Sequence, residues 1–155
     1  MEHSYFGVAP WNWTRTIDVG GRQVSADLSC DEQVTSAQLD VVATFLQQPT
    51  RFDVLAREAM ALNPDPTYST RLYVEHHLAE LSEDELQRLF GTTARSELSP
   101  ERVLSSLQLV RIGLYPADEH QSAVFDYSLD PTVTNYVLAV SFNALGKVTS
   151  IEMES

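Results

Sequence analysis

The chain is poor in several residue types, and each shortage excludes a class of protein. Cys30 is the one cysteine among 155 residues, so no disulfide can form within the chain. The six glycines form neither a GxGxxG nor a GxxxxGK pattern, which leaves no phosphate-binding loop of these types. Apolar runs are only a few residues long, far short of a membrane span. The N-terminus has no basic segment followed by an apolar one, so no secretory signal is expected.

Basic residues are also scarce. Ten lysines and arginines stand against 22 aspartates and glutamates, which gives a net charge of −12. Residues 1–74 carry nine acids and five bases, and residues 75–155 carry 13 and five, so the two parts have net charges of −4 and −8. This potential repels phosphate backbones and anionic lipid, so we expect binding of neither nucleic acid nor membranes. It would speed encounter with a basic protein, although an acidic surface also serves solubility alone.

The chain nevertheless has enough apolar side chains for a packed core. Hydrophobic residues make up 43% of the sequence, which is typical of a folded protein and not of a disordered one. A chain of 155 residues suits one domain that buries roughly two-thirds of its unfolded surface. The single Cys30 fits a reducing compartment, so a cytoplasmic location is expected.

The first thirty residues predict β structure. Gly20-Gly21 is a two-residue turn signal between the strand-like segments Thr14–Val19 and Arg22–Leu28, so these segments are expected to form a hairpin. A short strand near Tyr5–Val8, closed by Pro10, is expected before them.

Punctuation in the middle of the chain predicts five helices. Capping boxes occur at residues 35–38 and 82–85, and Ser99-Pro100-Glu101 combines an N-cap, an N1 proline and an acid in the first turn. Pro49 and Asn63-Pro64-Asp65-Pro66 predict helix ends. The expected helices cover residues 35–48, 50–62, 69–81, 82–91 and 99–106.

The segment Leu107–Asp130 has the strongest strand pattern. Two sets of residues alternate on each side of a turn: Val110, Ile112 and Leu114 with Leu109, Arg111 and Gly113, and Phe125 and Tyr127 with Asp126 and Ser128. This nearly two-sided apolar pattern predicts a central position in a sheet. Strands are expected at residues 107–115, 123–129, 135–142 and 147–153, the last two joined by an Asn143–Gly146 turn.

A hairpin, a run of helices and a four-strand meander predict an α+β fold in a single domain over residues 1–155. The simplest arrangement is one antiparallel sheet, with the N-terminal hairpin beside the C-terminal meander. About five central helices would pack on one face. The opposite face would then be open or used for binding.

Two adjacent histidines raise the alternative of a metal-dependent enzyme. His76 and His77 lie on one predicted helix and point about 100° apart, so they cannot both bind the same ion. His76 and Glu80 share a helix face, and a further ligand would have to come from elsewhere, such as His3 or His120. We therefore favour one histidine packed on the sheet and one at the surface. The alternative metal site or enzyme, using His76, His77, Glu80 and nearby carboxylates, stays open at this point.

Other reactive or aromatic residues indicate structure more than chemistry. Cys30 precedes Asp31 and Glu32, and neighbouring carboxylates raise the pKa of a thiol, which disfavours a nucleophile. No serine lies in a Gly-x-Ser-x-Gly elbow, and no cofactor is predicted. Trp11 and Trp13 are expected to be partly buried, although an exposed tryptophan would suit an interface.

Four acids cluster in sequence around the turn of the Leu107–Asp130 segment: Asp118, Glu119, Asp126 and Asp130. Paired carboxylates serve acid–base catalysis in glycosidases, but nothing in the sequence sets their spacing here. A polar turn also carries acids for solubility alone. Of the two functional interpretations we favour a surface that meets a basic protein partner, with Asp118, Glu119 and Asp126 as the contact residues.

Several segments together resemble a known family. They are His3 with Tyr5-Phe6-Gly7, Ala26-Asp27-Leu28, Tyr73 with Glu75-His76-His77-Leu78, Leu109 to Pro116, Phe125-Asp126-Tyr127, Asn135-Tyr136 and Met153-Glu154-Ser155. The resemblance is to an uncharacterised bacterial family, domain of unknown function number 2004, and it covers nearly the whole chain. It implies a small single-domain bacterial protein of the cytoplasm, and it brings no activity or catalytic residue.

The leading functional expectation is a non-enzymatic interaction protein. Its size, acidity and α+β pattern are similar to those of bacterial immunity proteins, which occlude a toxin by charge and shape complementarity. We therefore expect an immunity-like or regulatory protein that binds a basic protein, such as a toxin. A homodimer formed through the uncovered sheet face or an edge strand is a further possibility.

Overall fold

The computed structural model describes residues 1–8, 10–62 and 68–155. Within these ranges the strands are β1 (Glu2–His3), β2 (Gly7–Val8), β3 (Thr14–Val19), β4 (Arg22–Leu28), β5 (Gln108–Leu114), β6 (Ala123–Ser128), β7 (Val137–Phe142) and β8 (Val148–Glu154). The helices are α1 (Ser36–Gln47), α2 (Pro49–Leu62), α3 (Tyr68–Glu80), α4 (Glu83–Phe90) and α5 (Pro100–Ser105). The expected α+β class is confirmed.

Six strands form one sheet in the order β3-β4-β5-β6-β7-β8, so the N-terminal hairpin does lie beside the C-terminal meander. Strands β5 and β6 are the two central ones, as the apolar pattern of Leu107–Asp130 predicts. The expectation of an entirely antiparallel sheet is wrong at one junction, because β4 and β5 pair in parallel. All five helices lie between these two strands, and such a long crossover returns the chain to the end where β4 began.

Local capping interactions set several helix starts. The Thr35 hydroxyl accepts a hydrogen bond from the backbone N–H of Gln38 at 3.1 Å, and the Gln38 side chain accepts one from the Thr35 N–H at 2.9 Å. Ser82 and Glu85 form the same reciprocal pair before α4. Both predicted capping boxes are thus confirmed.

Among the described helices, none is long and apolar enough to cross a membrane.

Two predicted helix boundaries have different outcomes. Pro49 ends α1 as expected, and it also begins α2, where its fixed φ suits the first helical position and its missing N–H is not needed. The predicted stop at Asn63-Pro64-Asp65-Pro66 lies outside the described residues.

The core lies between the helices and one face of the sheet. Large side chains of β6 and β7, among them Phe125, Tyr127 and Phe142, are fully buried. The ring of Phe45 on α1 lies 5.7 Å from that of Phe142, which joins helix to sheet. Trp13 is also buried, in agreement with the expectation of a core tryptophan.

One detail of the β5 pattern differs from the strict alternation expected. The pairing of β5 with β6 shifts between Leu109 and Arg111, so Val110 is an extra residue in a bulge. Leu109 and Ile112 are consequently both buried, whereas Val110 is half-buried. The bulge keeps the apolar side chains of both halves of the strand on the helix-covered face.

Candidate functional site

The face of the sheet opposite the helices carries mainly polar and small side chains. One row crosses all six strands through paired residues: Thr16, Ser25, Arg111, Asp126, Ala139 and Glu152. Paired residues in a sheet project to the same face, so these side chains share one surface. We call this surface the open face.

Arg111 lies at the centre of the open face. Its Nε and Nη2 donate to the two carboxylate oxygens of Asp27, each at 2.8 Å, and its Nη1 donates to Asp126 at 3.3 Å. The guanidinium lies over Gly113, where a Cβ atom would come within 2.9 Å of Nη2. The Arg111 guanidinium therefore bonds to two carboxylates, and the absence of a side chain at position 113 makes room for it.

The open face keeps a negative excess. Burial raises the pKa of Asp126, and the charges of Glu154 and Asp27 add to this, while the hydrogen bond and the charge of Arg111 act in the opposite direction. Glu152 and Glu154 are exposed and have no ion-pair partner in the described part of the chain. A depression of about 230 Å³ lies among these residues.

The turn of residues 115–122 carries two of the three predicted contact residues. Asp118 accepts hydrogen bonds through Oδ1 from the backbone N–H groups of His120 at 3.0 Å and Gln121 at 3.1 Å. The side chain of Glu119 is 81% exposed, and its backbone carbonyl accepts from Ala144 at 2.8 Å. The turn is therefore shaped by its own acid and anchored on the β7–β8 turn.

A groove of about 850 Å³ separates this turn from α1. Asp118 and Glu119 line it, whereas Asp126 lines the depression on the open face. The structure thus brings Asp118 and Glu119 together and places Asp126 on a different surface. Tyr115 and Gln121 line both, so the two surfaces meet at these side chains.

His77 has a structural role in the described chain. It is buried, its Nδ1 donates to the carbonyl of Tyr73 at 2.8 Å, and its Nε2 accepts from the Thr134 hydroxyl at 2.8 Å. Burial lowers its pKa, so the ring is neutral at pH 7. Because both ring nitrogens have partners, neither is free to bind a metal ion.

The remaining histidines lie apart from one another. His76 packs against the ring of Tyr136 at 4.8 Å and borders a depression of about 210 Å³ with His77 and Glu80. His3 is buried beside Asp40, and His120 lies on the 115–122 turn. Across residues 1–8, 10–62 and 68–155, no group of three His, Cys, Asp or Glu side chains could hold a metal ion.

Comparison with known proteins brings no relative. No family model matches the chain, and neither do any curated protein or solved structure. The resemblance to domain of unknown function number 2004 therefore stays a prediction. The candidate site rests on geometry alone.

Cys30 has the environment that its acidic neighbours predict. The side chain is half-buried, and burial followed by the charge of Asp31 raises the pKa of the thiol. A raised pKa leaves little thiolate at pH 7, so the residue is a weak nucleophile.

A second polar network was not predicted from the sequence. The Tyr127 hydroxyl donates to Asp53 at 2.7 Å, and Asp53 also accepts from Arg57 at 3.0 Å. Arg57 in turn donates to the carbonyl of Leu107 at 3.0 Å. Burial, with Asp53 next in importance, raises the pKa of Tyr127. The i,i+4 spacing of Asp53 and Arg57 was the one available signal, and it does not reveal the tyrosine.

Proposed function

We propose that this chain is a non-enzymatic acidic module that binds a basic protein. The observation that carries the proposal is a difference between the contacts that the basic side chains make within the fold and those that the acidic side chains make. Each arginine contacts another part of the chain, whereas many exposed carboxylates of the described residues have no ion-pair partner. An approaching protein would therefore meet mostly negative charge.

Each arginine of the described residues contacts another part of the chain. Arg57, Arg71, Arg88 and Arg111 form ion pairs with carboxylates. The other five contact amides, carbonyls or rings: Arg15 with Trp13, Arg22 with Gln108, Arg51 with Gln48, Arg95 with the carbonyls of Leu78 and Leu81, and Arg102 with the carbonyl of Phe90. Most of these arginines stay exposed at the surface, but each is held by a contact within the chain.

Exposed acids without an ion pair are numerous in the part of the chain that the structure describes. Among them are Asp31, Glu32, Glu58, Glu83, Asp84, Glu101, Glu152 and Glu154. Exposed carboxylates contribute little to stability, and their mutual repulsion opposes folding. Recognition of a cation-rich surface is a function that would use them.

The reactive side chains support binding better than catalysis. His77 is neutral and has hydrogen bonds at both nitrogens, and the pKa values of Cys30 and Tyr127 are raised. Each of these conditions lowers reactivity at pH 7. A metal-dependent enzyme built on His76, His77 and Glu80 has correspondingly little support.

An immunity-like or regulatory role in the bacterial cytoplasm is the finer form of the proposal. The resemblance stated above and the single cysteine support the bacterial origin and the compartment. A homodimer through the open face is less favoured, because two copies would bring Glu152 and Glu154 of each chain towards the same residues of the other.

The test begins with the product of the neighbouring gene, which is mixed with the purified protein. We expect a complex whose Kd rises roughly tenfold or more between low and physiological salt, because screening weakens attraction between opposite charges. A Kd that does not respond to salt, or the lack of any complex with that protein and with proteins co-purified from the host, would contradict the proposal.

Charge-neutral variants then locate the acids involved. Glu119→Gln combined with Glu152→Gln should slow association, since these acids lie on the two candidate surfaces. The matched control is Glu58→Gln combined with Glu101→Gln, which removes the same charge from α2 and α5. Equal effects of the two pairs would show that only net charge matters.

A further inference from the structure

We infer that the groove between α1 and the 115–122 turn receives an amphipathic basic segment of the partner protein. The inference rests on the proposed function and adds the place of contact and the chemistry of the segment. Apolar side chains of the segment would lie in the groove, and its lysines or arginines would meet Asp118 and Glu119.

Apolar residues line part of the groove, beside polar ones. The apolar residues that line it come from α1, from the 115–122 turn and from the β7–β8 turn: Ala37, Val41, Pro116, Ala117 and Ala144. A volume of about 850 Å³ has room for several side chains.

A smaller notch of about 190 Å³ extends this surface along α1. Val41 and Ala144 line both the groove and the notch, so the two are continuous. Leu145, also in the notch, is 81% exposed, and Val41 is 37% exposed. Exposed apolar side chains at the edge of a groove are typical of interaction sites.

The β7–β8 turn does not itself require a leucine at position 145. The side-chain oxygen of Asn143 accepts hydrogen bonds from the N–H groups of Leu145 and Lys147, each at 3.0 Å. Gly146 supplies the positive φ of 78°. Asn143 and Gly146 therefore determine the turn, and a polar residue at position 145 would serve it equally well.

Charge selects the kind of occupant. Asp118 and Glu119 line the groove, and no lysine or arginine among the described residues does so. His120 also lines the groove and lies 3.7 Å from Glu119. Arg51 lines the notch, where its guanidinium lies over the ring of Phe52 and bonds to Gln48. An acidic segment, or a second copy with its own Asp118 and Glu119, would be repelled.

The inference is tested with defined peptides. The probe is a synthetic amphipathic peptide of about four helical turns, with leucine on one face and lysine on the other. The control peptide keeps the lysines and has serine in place of leucine. Each is titrated into the ¹⁵N-labelled full chain, and NMR shifts of the backbone amides give the Kd and the location of binding.

We expect the leucine-containing peptide to bind at least about tenfold more tightly than the control, since burial of its apolar face adds to the charge attraction. The largest shifts should fall at Ala37, Val41, Ala117, Ala144 and Leu145. Val41→Ser combined with Leu145→Ser should weaken binding about tenfold. Both side chains are exposed, so the fold is expected to tolerate the change.

A matched control variant combines Val54→Ser with Leu62→Ser. These α2 side chains are 49% and 77% exposed and do not line the groove. They should leave the Kd unchanged. An equal loss from both double variants would overturn the inference.

Other outcomes separate the inference from the proposed function. If both peptides bind equally well and cause shifts at Asp126, Glu152 and Glu154, the groove is not the binding site. The proposal that the acidic surface binds a basic protein would still stand. If neither peptide binds, the inference about the groove is also wrong. The salt test with the neighbouring gene's product then tests the proposed function separately. A concentration-dependent dimer, detected by light scattering and abolished by Val41→Ser with Leu145→Ser, would assign the groove to a second copy.

Discussion

Asp27 and Arg111 form two hydrogen bonds of 2.8 Å across the parallel junction of β4 and β5. In the strand register Arg111 faces Ser25, and Asp27 faces Gly113. The arginine therefore leans along the strand, over a residue that has no side chain. This pair joins the N-terminal hairpin to the central strands on the open face.

Gly113→Ala should destabilise the protein by about 1–2 kcal/mol, since the new Cβ would force the guanidinium away from Asp27. The Cβ would lie 2.9 Å from Nη2 and 3.0 Å from Nη1 of Arg111. Urea denaturation gives the free energy of unfolding. The same substitution in an Arg111→Ala background should be neutral or stabilising, because alanine suits a strand better than glycine. Additive effects would show that Arg111 is not the obstacle.

The two carboxylates around Arg111 should respond oppositely to neutralisation at pH 7. Asp27→Asn removes the bidentate partner and should cost about 1–2 kcal/mol. Asp126→Asn should be neutral or stabilising, because burial raises the pKa of Asp126 and its ionised form is disfavoured in the fold. Denaturation midpoints of the two variants compare them directly. Equal destabilisation by both would contradict this difference.

The pH dependence of the Asp126 effect has a definite sign. A carboxyl whose pKa is higher in the folded state binds its proton more tightly there, so its contribution to stability is present at low pH and is lost as the pH rises through the folded pKa. The stability of the wild type relative to Asp126→Asn should therefore increase as the pH falls through the folded pKa of Asp126 towards the ordinary value of 3.8. A constant difference over this range would contradict the raised pKa.

His77 should make the protein less stable in mild acid. Its pKa is lowered by burial from the ordinary 6.5, so the unfolded chain takes up a proton at a pH where the folded chain does not. Its contribution is present above pH 6.5 and is lost as the pH falls towards the folded pKa. Urea denaturation from neutral pH down to about pH 5 should show this loss, and His77→Gln should reduce it.

The control for His77 is another histidine of the same chain. The side chain of His120 is 89% exposed, so His120→Gln should leave the pH profile of the wild type unchanged. If His77→Gln also keeps the full pH dependence, other titratable groups cause the loss of stability in mild acid.

Tyr127→Phe should cost about 1–2 kcal/mol, because the hydroxyl donates to Asp53 in a buried setting. Asp53 would keep its ion pair with Arg57, so the effect should be that of one hydrogen bond. Thermal or urea denaturation measures it. Tyr5→Phe is the control, since the Tyr5 hydroxyl has no hydrogen bond within the described residues. A similar loss from both variants would contradict a specific role for Tyr127.

Local signals in the sequence were sufficient for most elements of the fold. The short strand expected near Tyr5–Val8 is limited to Gly7–Val8, and its partner Glu2–His3 was not predicted. Thr35 with Gln38 and Ser82 with Glu85 predicted two helix starts, because a cap involves only residues three apart. Gly20-Gly21 predicted the β3–β4 hairpin for the same reason. The central position of β5 and β6 was predicted from the density of apolar residues in Leu107–Asp130.

The candidate site was predictable only in part. Asp118 and Glu119 are adjacent in the chain and share one turn, so they stay together in the groove. Asp126 lies across the hairpin on the open face, and its separation from them depends on the strand register. The apolar part of the groove could not be predicted, because Val41 and Ala144 meet only when α1 packs beside the β7–β8 turn.

Composition and short-range pattern by themselves determined the acidity, the α+β class and most helix and strand boundaries, because these depend on side chains and their near neighbours. Tertiary structure alone decided the parallel junction, the bonding of Arg111 to Asp27 and the groove. Each of these joins residues far apart in the chain, and their meeting depends on how the helices between β4 and β5 pack on the sheet.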